Sequence, residues 1–126
     1  MVGLVIISHS RALADGVVEL AKMIADDVPI AAAGGLEDGS TGTSFDKISA
    51  ATESVYSDDG VIFLMDMGSA VMTAEMVIES MEGRNIKMAD VPIVEGAVSI
   101  AADISAGLGI DEIMAGLDEV RNIRKL

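Results

Sequence analysis

Four short apolar runs alternate along the chain with longer segments in which apolar residues recur every three or four positions. That rhythm predicts strands joined by crossover helices, an α/β fold with an open, mainly parallel sheet of four to five strands and helices on both faces. The first run, Val2 to Ile7, is apolar on both faces, as a central strand covered from each side must be. From Ala12 to Ala25, the residues Leu13, Val17, Leu20 and Ile24 share one helical face, while Arg11, Asp15, Glu19 and Lys22 are left for the wet side. Pro29 to Ala33 reads as a second strand nearer an edge, since its proline lacks a ladder donor.

After a glycine-rich loop from Gly34 to Thr43, Ser44 is placed to cap a helix with Phe45, Ile48, Thr52 and Val55 on one face. That helix ends by the turn cluster Ser57-Asp58-Asp59-Gly60. Val61 to Met65 is a third strand, and a helix from Ala70 to Met81 stops at Gly83. The spacing then predicts a short strand over Asn85 to Met88 and a helix from about Ile93 to Ala106, broken at Gly107 and Gly109. Asp111 is the expected cap of one final helix carrying Ile113, Met114, Leu117 and Val120, with Arg121, Arg124 and Lys125 toward its negative end. No linker or tandem repeat divides the chain, so residues 1–126 read as a single domain.

Bulk composition narrows the function. With 51% hydrophobic and 23% charged residues the chain is ordinary for a packed fold. Eight Lys and Arg against 21 Asp and Glu give a net charge of −13, which repels phosphate backbones and argues against a nucleic-acid partner. Two Phe, one Tyr and no Trp supply little for base stacking. The absence of cysteine removes disulfides, thiolate metal sites and cysteine nucleophiles, and fits a reducing, cytoplasmic setting. Val2 to Ile7 is too short for the core of an export signal and has no preceding cation. The apolar stretch Pro92 to Ile110 carries Glu95 and Asp103, which argues against a membrane span. The continuous apolarity from Val91 to Ile110 predicts instead a homodimer interface. The nine methionines are expected to fill gaps in the core, with Met67 as an adaptable partner-facing exception.

Candidate chemistry lies where a flavodoxin-like strand order, 2-1-3-4, brings together the carboxyl ends of strands one and three. The residues there are Ser8-His9-Ser10 and Asp66-Met67-Gly68-Ser69. His9, the only histidine, can attack phosphorus through one ring nitrogen while Asp66 holds the other. Two helix starts, with Ser10 and Arg11 on one and Gly68 and Ser69 on the other, offer backbone donors to phosphate oxygens. The Gly34 to Thr43 loop has a phosphate-loop composition but no lysine after its glycines, so it is not a Walker loop, and Thr43 is its candidate donor. Nothing points to a metal. Each residue also has a plain reading: a lone histidine can be structural, Asp66 can simply cap a helix, and the loop can be mobile surface.

Three segments, Leu4-Val5-Ile6-Ile7-Ser8-His9-Ser10, Met65-Asp66-Met67-Gly68-Ser69-Ala70 and Pro92-Ile93-Val94-Glu95-Gly96, resemble the DhaM family. These are the phosphotransferase subunits of bacterial PTS-dependent dihydroxyacetone kinases, and the likeness runs from end to end. The family's domain is similar to the mannose-class enzyme IIA fold, which dimerises. The resemblance implies that His9 is the phosphorylated histidine and Asp66 its orienting carboxylate, with Gly42-Thr43 in a loop near the site. It implies a phosphoryl path from the phosphocarrier HPr to His9 and on to ADP held by the L subunit, so the chain itself binds no cofactor and does not touch dihydroxyacetone. Some members append HPr-like and enzyme I-like domains; this sequence ends near Leu126 without them, so separate donor proteins are expected. Two other readings stay open. One is a receiver-like domain phosphorylated on Asp66, against which stands the lack of an acidic cluster after strand one. The other is a non-catalytic dimeric binding module.

Overall fold

Strand residues alternate between two helical layers, and this alternation builds the molecule. The computed structural model describes residues 1–126, and its strands are β1 (Gly3–Ser8), β2 (Ile30–Gly34), β3 (Val61–Met65) and β4 (Ile86–Ala89). They form one all-parallel sheet in the order β2-β1-β3-β4. Between them run α1 (Arg11–Ile24), α2 (Phe45–Val55) and α3 (Gly68–Ser80), and α4 (Ile93–Ser105), α5 (Ile110–Ala115) and α6 (Leu117–Arg121) follow.

Leu4, Ile6, Ile62 and Leu64 point to one side of the sheet, where α1, α4 and the two terminal helices bring Val17, Ile100, Ile104, Ile113 and Leu117. Val5, Ile7, Val61 and Phe63 point to the other side and meet Ile48 and Val55 of α2 and Ala70, Ala74 and Val77 of α3. A strand buried on both faces cannot alternate apolar with polar, which is why β1 and β3 read as unbroken apolar runs. Each fully buried large side chain of this kind stabilises the fold by about 1.5–3 kcal/mol.

Four expectations change. The final helix is two short ones separated at Gly116, and its start is Ile110 with Gly109 as cap, not Asp111. Asp111 lies one residue inside, and Glu112 reaches back to the Gly109 N–H at 3.3 Å. On α1 the buried positions are Ala14, Val17 and Ala21, whereas Leu13, Leu20 and Ile24 are exposed. Small residues face inward because Gly34 and α4 pack close to this helix: a Cβ on Gly34 would stand 2.7 Å from the Ala14 Cβ. The methionines border the core instead of filling it: Met65, Met81, Met88 and Met114 pack against it partly buried. None is fully buried, and Met67, Met72 and Met76 are exposed along the start and outer face of α3. Last, the apolarity of the Val91–Ile110 stretch is consumed within the chain, since Gly96, Ala97, Ile100, Ala101, Ile104 and Ile110 are buried against the sheet and its neighbours. It therefore gives no argument for a dimer.

Candidate functional site

Parallel pairing of β1 with β3 sets Ile7 beside Met65, so the residues that follow each strand emerge side by side at the carboxyl edge of the sheet. His9 lies between β1 and α1, and Asp66 between β3 and α3. The two rings of contacts they form are specific. His9 Nδ1 is 2.9 Å from Asp66 Oδ1, and His9 Nε2 is 2.7 Å from Ser69 Oγ. Both side chains are mostly covered, with 21% of His9 and 14% of Asp66 accessible.

Asp66 receives four donors. Oδ1 accepts from Met67 N–H at 2.7 Å as well as from Nδ1, and Oδ2 accepts from His9 N–H and from Ser8 Oγ, each at 2.9 Å. Burial pushes the carboxyl up, but the hydrogen bonds from His9, Ser8 and Met67 outweigh it and hold Asp66 below the ordinary carboxylate range. An ionised Asp66 can only accept, so in the neutral ring Nδ1 carries the proton and Nε2 presents a lone pair. Ser69 Oγ must then be the donor to Nε2. Each carboxylate oxygen thus accepts two hydrogen bonds.

The other predicted residues fall into three placements. Ser69 stands against His9 Nε2, and Gly68 is the first residue of α3, where the Gly68 and Ser69 N–H groups have no acceptor within the helix. Such a helix start favours an anion. Ser10 is the cap of α1, its Oγ accepting from Leu13 N–H at 3.2 Å, and Arg11 is exposed with Nε 4.0 Å from Asp15. Together with His9, Ser40 and Thr41 these residues line an open hollow. Thr43 points elsewhere, to a 2.8 Å hydrogen bond with Thr73 of α3.

The loop carrying Thr43 is tied down. Gly42 N–H donates to the His9 carbonyl at 2.9 Å, and Lys47 Nζ reaches the carbonyls of Gly34 and Leu36 at 2.8 and 3.4 Å. Gly42 has a φ of +144°, a conformation that other residues rarely adopt. Ser8 belongs to the hydrogen-bonded cluster too, a part its sequence position does not reveal, because a serine ending an apolar strand carries no signal until its hydroxyl is seen on Asp66. No cluster of three or more His, Asp and Glu side chains is placed to hold a metal ion, and no helix is long and apolar enough to cross a membrane.

Known proteins resemble the chain along most of its length. The family model EIIA-man, described as the PTS system fructose IIA component, matches residues 3–114. The phosphoryl donor subunit DhaM of PEP-dependent dihydroxyacetone kinase 1 from Listeria innocua is 45% identical over 118 residues, covering 94% of each chain. A DhaM phosphotransferase subunit from Lactococcus lactis is 36% identical, again over 94% of each. The Escherichia coli phosphoryl donor subunit is 37% identical over 90% of this chain but only 26% of its own longer one. Among solved structures, a crystallised protein of unknown function superposes with a TM-score of 0.78 at 28% identity, covering 100% of this chain and 98% of its own. A sigma-54 interaction domain protein from Enterococcus faecalis shares the fold, with a TM-score of 0.70 at 17% identity over 94% of this chain and 88% of its own.

Proposed function

The chain belongs to the EIIA-man family, as a DhaM-like member of it, and on that footing we propose that it is the phosphoryl-carrying subunit of a PEP-dependent dihydroxyacetone kinase. His9 takes the phosphoryl group from phospho-HPr and passes it to ADP bound on the kinase L subunit, in the cytoplasm. The observation that carries this reading is the pair of bonds on one imidazole, Asp66 on Nδ1 and a lone hydroxyl, Ser69, on Nε2.

The transfer needs no proton to leave His9. Nδ1 keeps its proton, the Nε2 lone pair forms the new P–N bond, and the donor's bond to phosphorus breaks with its electron pair returning to the donor. Asp66 balances the positive charge that develops on the ring, as an orienting acid does in a catalytic triad. Ser69 Oγ occupies the place the phosphorus must take, so it turns aside and donates to a phosphoryl oxygen, joined by the free N–H groups of Gly68 and Ser69. Reversal of the same steps delivers the group to the acceptor. Because the site lies at the sheet edge with Met67 exposed beside it, a partner protein can close over the phosphohistidine and exclude water.

We also propose that the chain forms a homodimer, with the exposed α1 face of Leu13, Leu20, Met23 and Ile24 as the self-associating surface in place of the buried Val91–Ile110 stretch.

The experiment is phosphorylation with phosphoenolpyruvate, enzyme I and HPr. One acid-labile, base-stable phosphate per chain is expected, and His9→Ala should abolish both labelling and support of ADP phosphorylation on the L subunit. Acid-labile phosphate on the His9→Ala protein would refute the assignment.

A further inference from the structure

Ser8 ends β1 with 1% of its surface accessible, yet it carries a polar side chain among apolar neighbours. A hydroxyl buried there needs partners, and it has two. Ser10 N–H donates to Ser8 Oγ at 3.0 Å, and Ser8 Oγ lies 2.9 Å from Asp66 Oδ2. The direction of both bonds is forced. A backbone N–H can only donate and a carboxylate can only accept, so the single hydroxyl proton of Ser8 goes to Asp66.

That hydroxyl links the two halves of the site. On one side it holds the backbone of the His9–Ser10 turn just before α1; on the other it takes up one of the positions on Oδ2, leaving Oδ1 aimed at Nδ1. His9 is the only titratable group among the hydrogen-bonding partners of Asp66, and the charged residues that line the hollow beside His9, Arg11 and Asp15, face each other. The ring tautomer therefore depends on how the carboxylate is oriented, and Ser8 is the one side-chain donor besides His9 that orients it. The remaining two donors, His9 N–H and Met67 N–H, belong to the backbone.

We infer that Ser8 is a positioning residue for phosphoryl transfer, its hydroxyl aiming the Asp66 carboxylate so that His9 keeps its proton on Nδ1 and presents a bare Nε2. The inference rests on the reading of His9 as phosphoryl acceptor. It differs from a merely structural role in acting on the imidazole's tautomer. Without the hydroxyl, Oδ2 loses a donor and Ser10 N–H loses its acceptor. Held then only by two backbone donors and Nδ1, the carboxylate can tilt away from Nδ1, and the ring can shift its proton to Nε2, where it blocks attack.

The test uses the full chain as wild type, Ser8→Ala, Ser8→Thr and Ser8→Cys. Nitrogen-15 shifts of the His9 ring, read at about pH 9 where an ordinary imidazole is neutral, report the tautomer with no phosphoryl donor present. Single-turnover uptake from phospho-HPr reports the chemical step. For Ser8→Ala the expected result is a measurable Nε2–H population and a roughly tenfold slower step at saturating donor, with the half-saturating donor concentration unchanged. Ser8→Thr should restore both, and Ser8→Cys, a weak donor, should fall between. If the added methyl of Ser8→Thr prevents folding, the graded series wild type, Ser8→Cys, Ser8→Ala carries the test alone. A folded Ser8→Ala protein with the wild-type tautomer and the wild-type rate overturns the inference, and so does a change confined to donor affinity. Were the wild type to take up no phosphate, the functional reading would fail while the tautomer measurement still decided the role of Ser8.

Discussion

Replacing Asp66 by Asn removes one charge and keeps the shape, so its consequences can be worked from the four donors around that side chain. An amide offers one acceptor oxygen and one donor nitrogen. If its oxygen takes the Oδ1 place, Nδ1–H and Met67 N–H stay paired, but the amide nitrogen faces His9 N–H, a donor against a donor. If its oxygen takes the Oδ2 place, His9 N–H and Ser8 are satisfied, Met67 N–H is orphaned, and Nδ1 must accept. The proton then moves to Nε2 and the nucleophilic lone pair is gone. Either way one backbone donor is stranded in a partly buried site, at a cost of about 1–3 kcal/mol in stability. The first arrangement also lacks the charge that stabilises the phosphorylated ring. Slowing of phosphoryl transfer on the order of 10² to 10⁴ is expected, by analogy with an orienting acid in a triad.

The same carboxylate sets a pH dependence. Its folded-state pKa is depressed, so the stability it contributes is complete above the unfolded value of about 3.9 and is lost as the pH falls through that value toward the folded one. Urea denaturation at pH 7 and near pH 3 should thus show a large gap between wild type and Asp66→Asn at pH 7 that closes in acid. The assay for function is rapid-quench transfer from phospho-HPr with circular dichroism as the folding control. Unchanged transfer kinetics in a folded Asp66→Asn protein would refute the reasoning.

Gly34→Ala should lower stability by about 1–3 kcal/mol and slow transfer, because its Cβ would meet the Ser10 carbonyl oxygen at 2.6 Å and the Arg11 Cα at 2.8 Å, backbone atoms that position His9. Thermal melts and uptake kinetics check both halves. Asp103 is pushed up by burial, with the Glu119 charge adding to it, so its ionised form costs stability as the pH rises through its folded-state pKa. Asp103→Asn should raise the melting temperature at pH 7, by less than about 1 kcal/mol in free energy, and give no gain near pH 3. Sedimentation at micromolar concentration should show a dimer that Leu20→Glu dissociates, since Leu20 lies in the exposed apolar face of α1; wild-type protein found only as monomer would remove the proposed interface.

The sequence alone determined the class of fold and the place of the candidate site. Apolar runs long enough for one strand and helical repeats long enough to cross a sheet are local properties, and parallel order follows from their alternation. Since β1 and β3 end in polar tripeptide and tetrapeptide segments, placing His9 near Asp66 needed only the strand order. What the sequence could not settle is anything fixed by neighbours from distant parts of the chain. Leu13, Leu20 and Ile24 form a helical stripe as good as Ala14, Val17 and Ala21, and only the close approach of Gly34 and α4 decides that the small residues turn inward. Met67, Met72 and Met76 are exposed, and the inward face of α4 buried, for the same reason: burial belongs to the packed surface and not to the residue. Ser8, Thr43 and Thr73 are three hydroxyls with the same local chemistry. Tertiary structure gave one to Asp66 and joined the other two to each other, because a hydrogen bond of about 3 Å is decided by the placement of whole elements and is invisible to spacing along the chain.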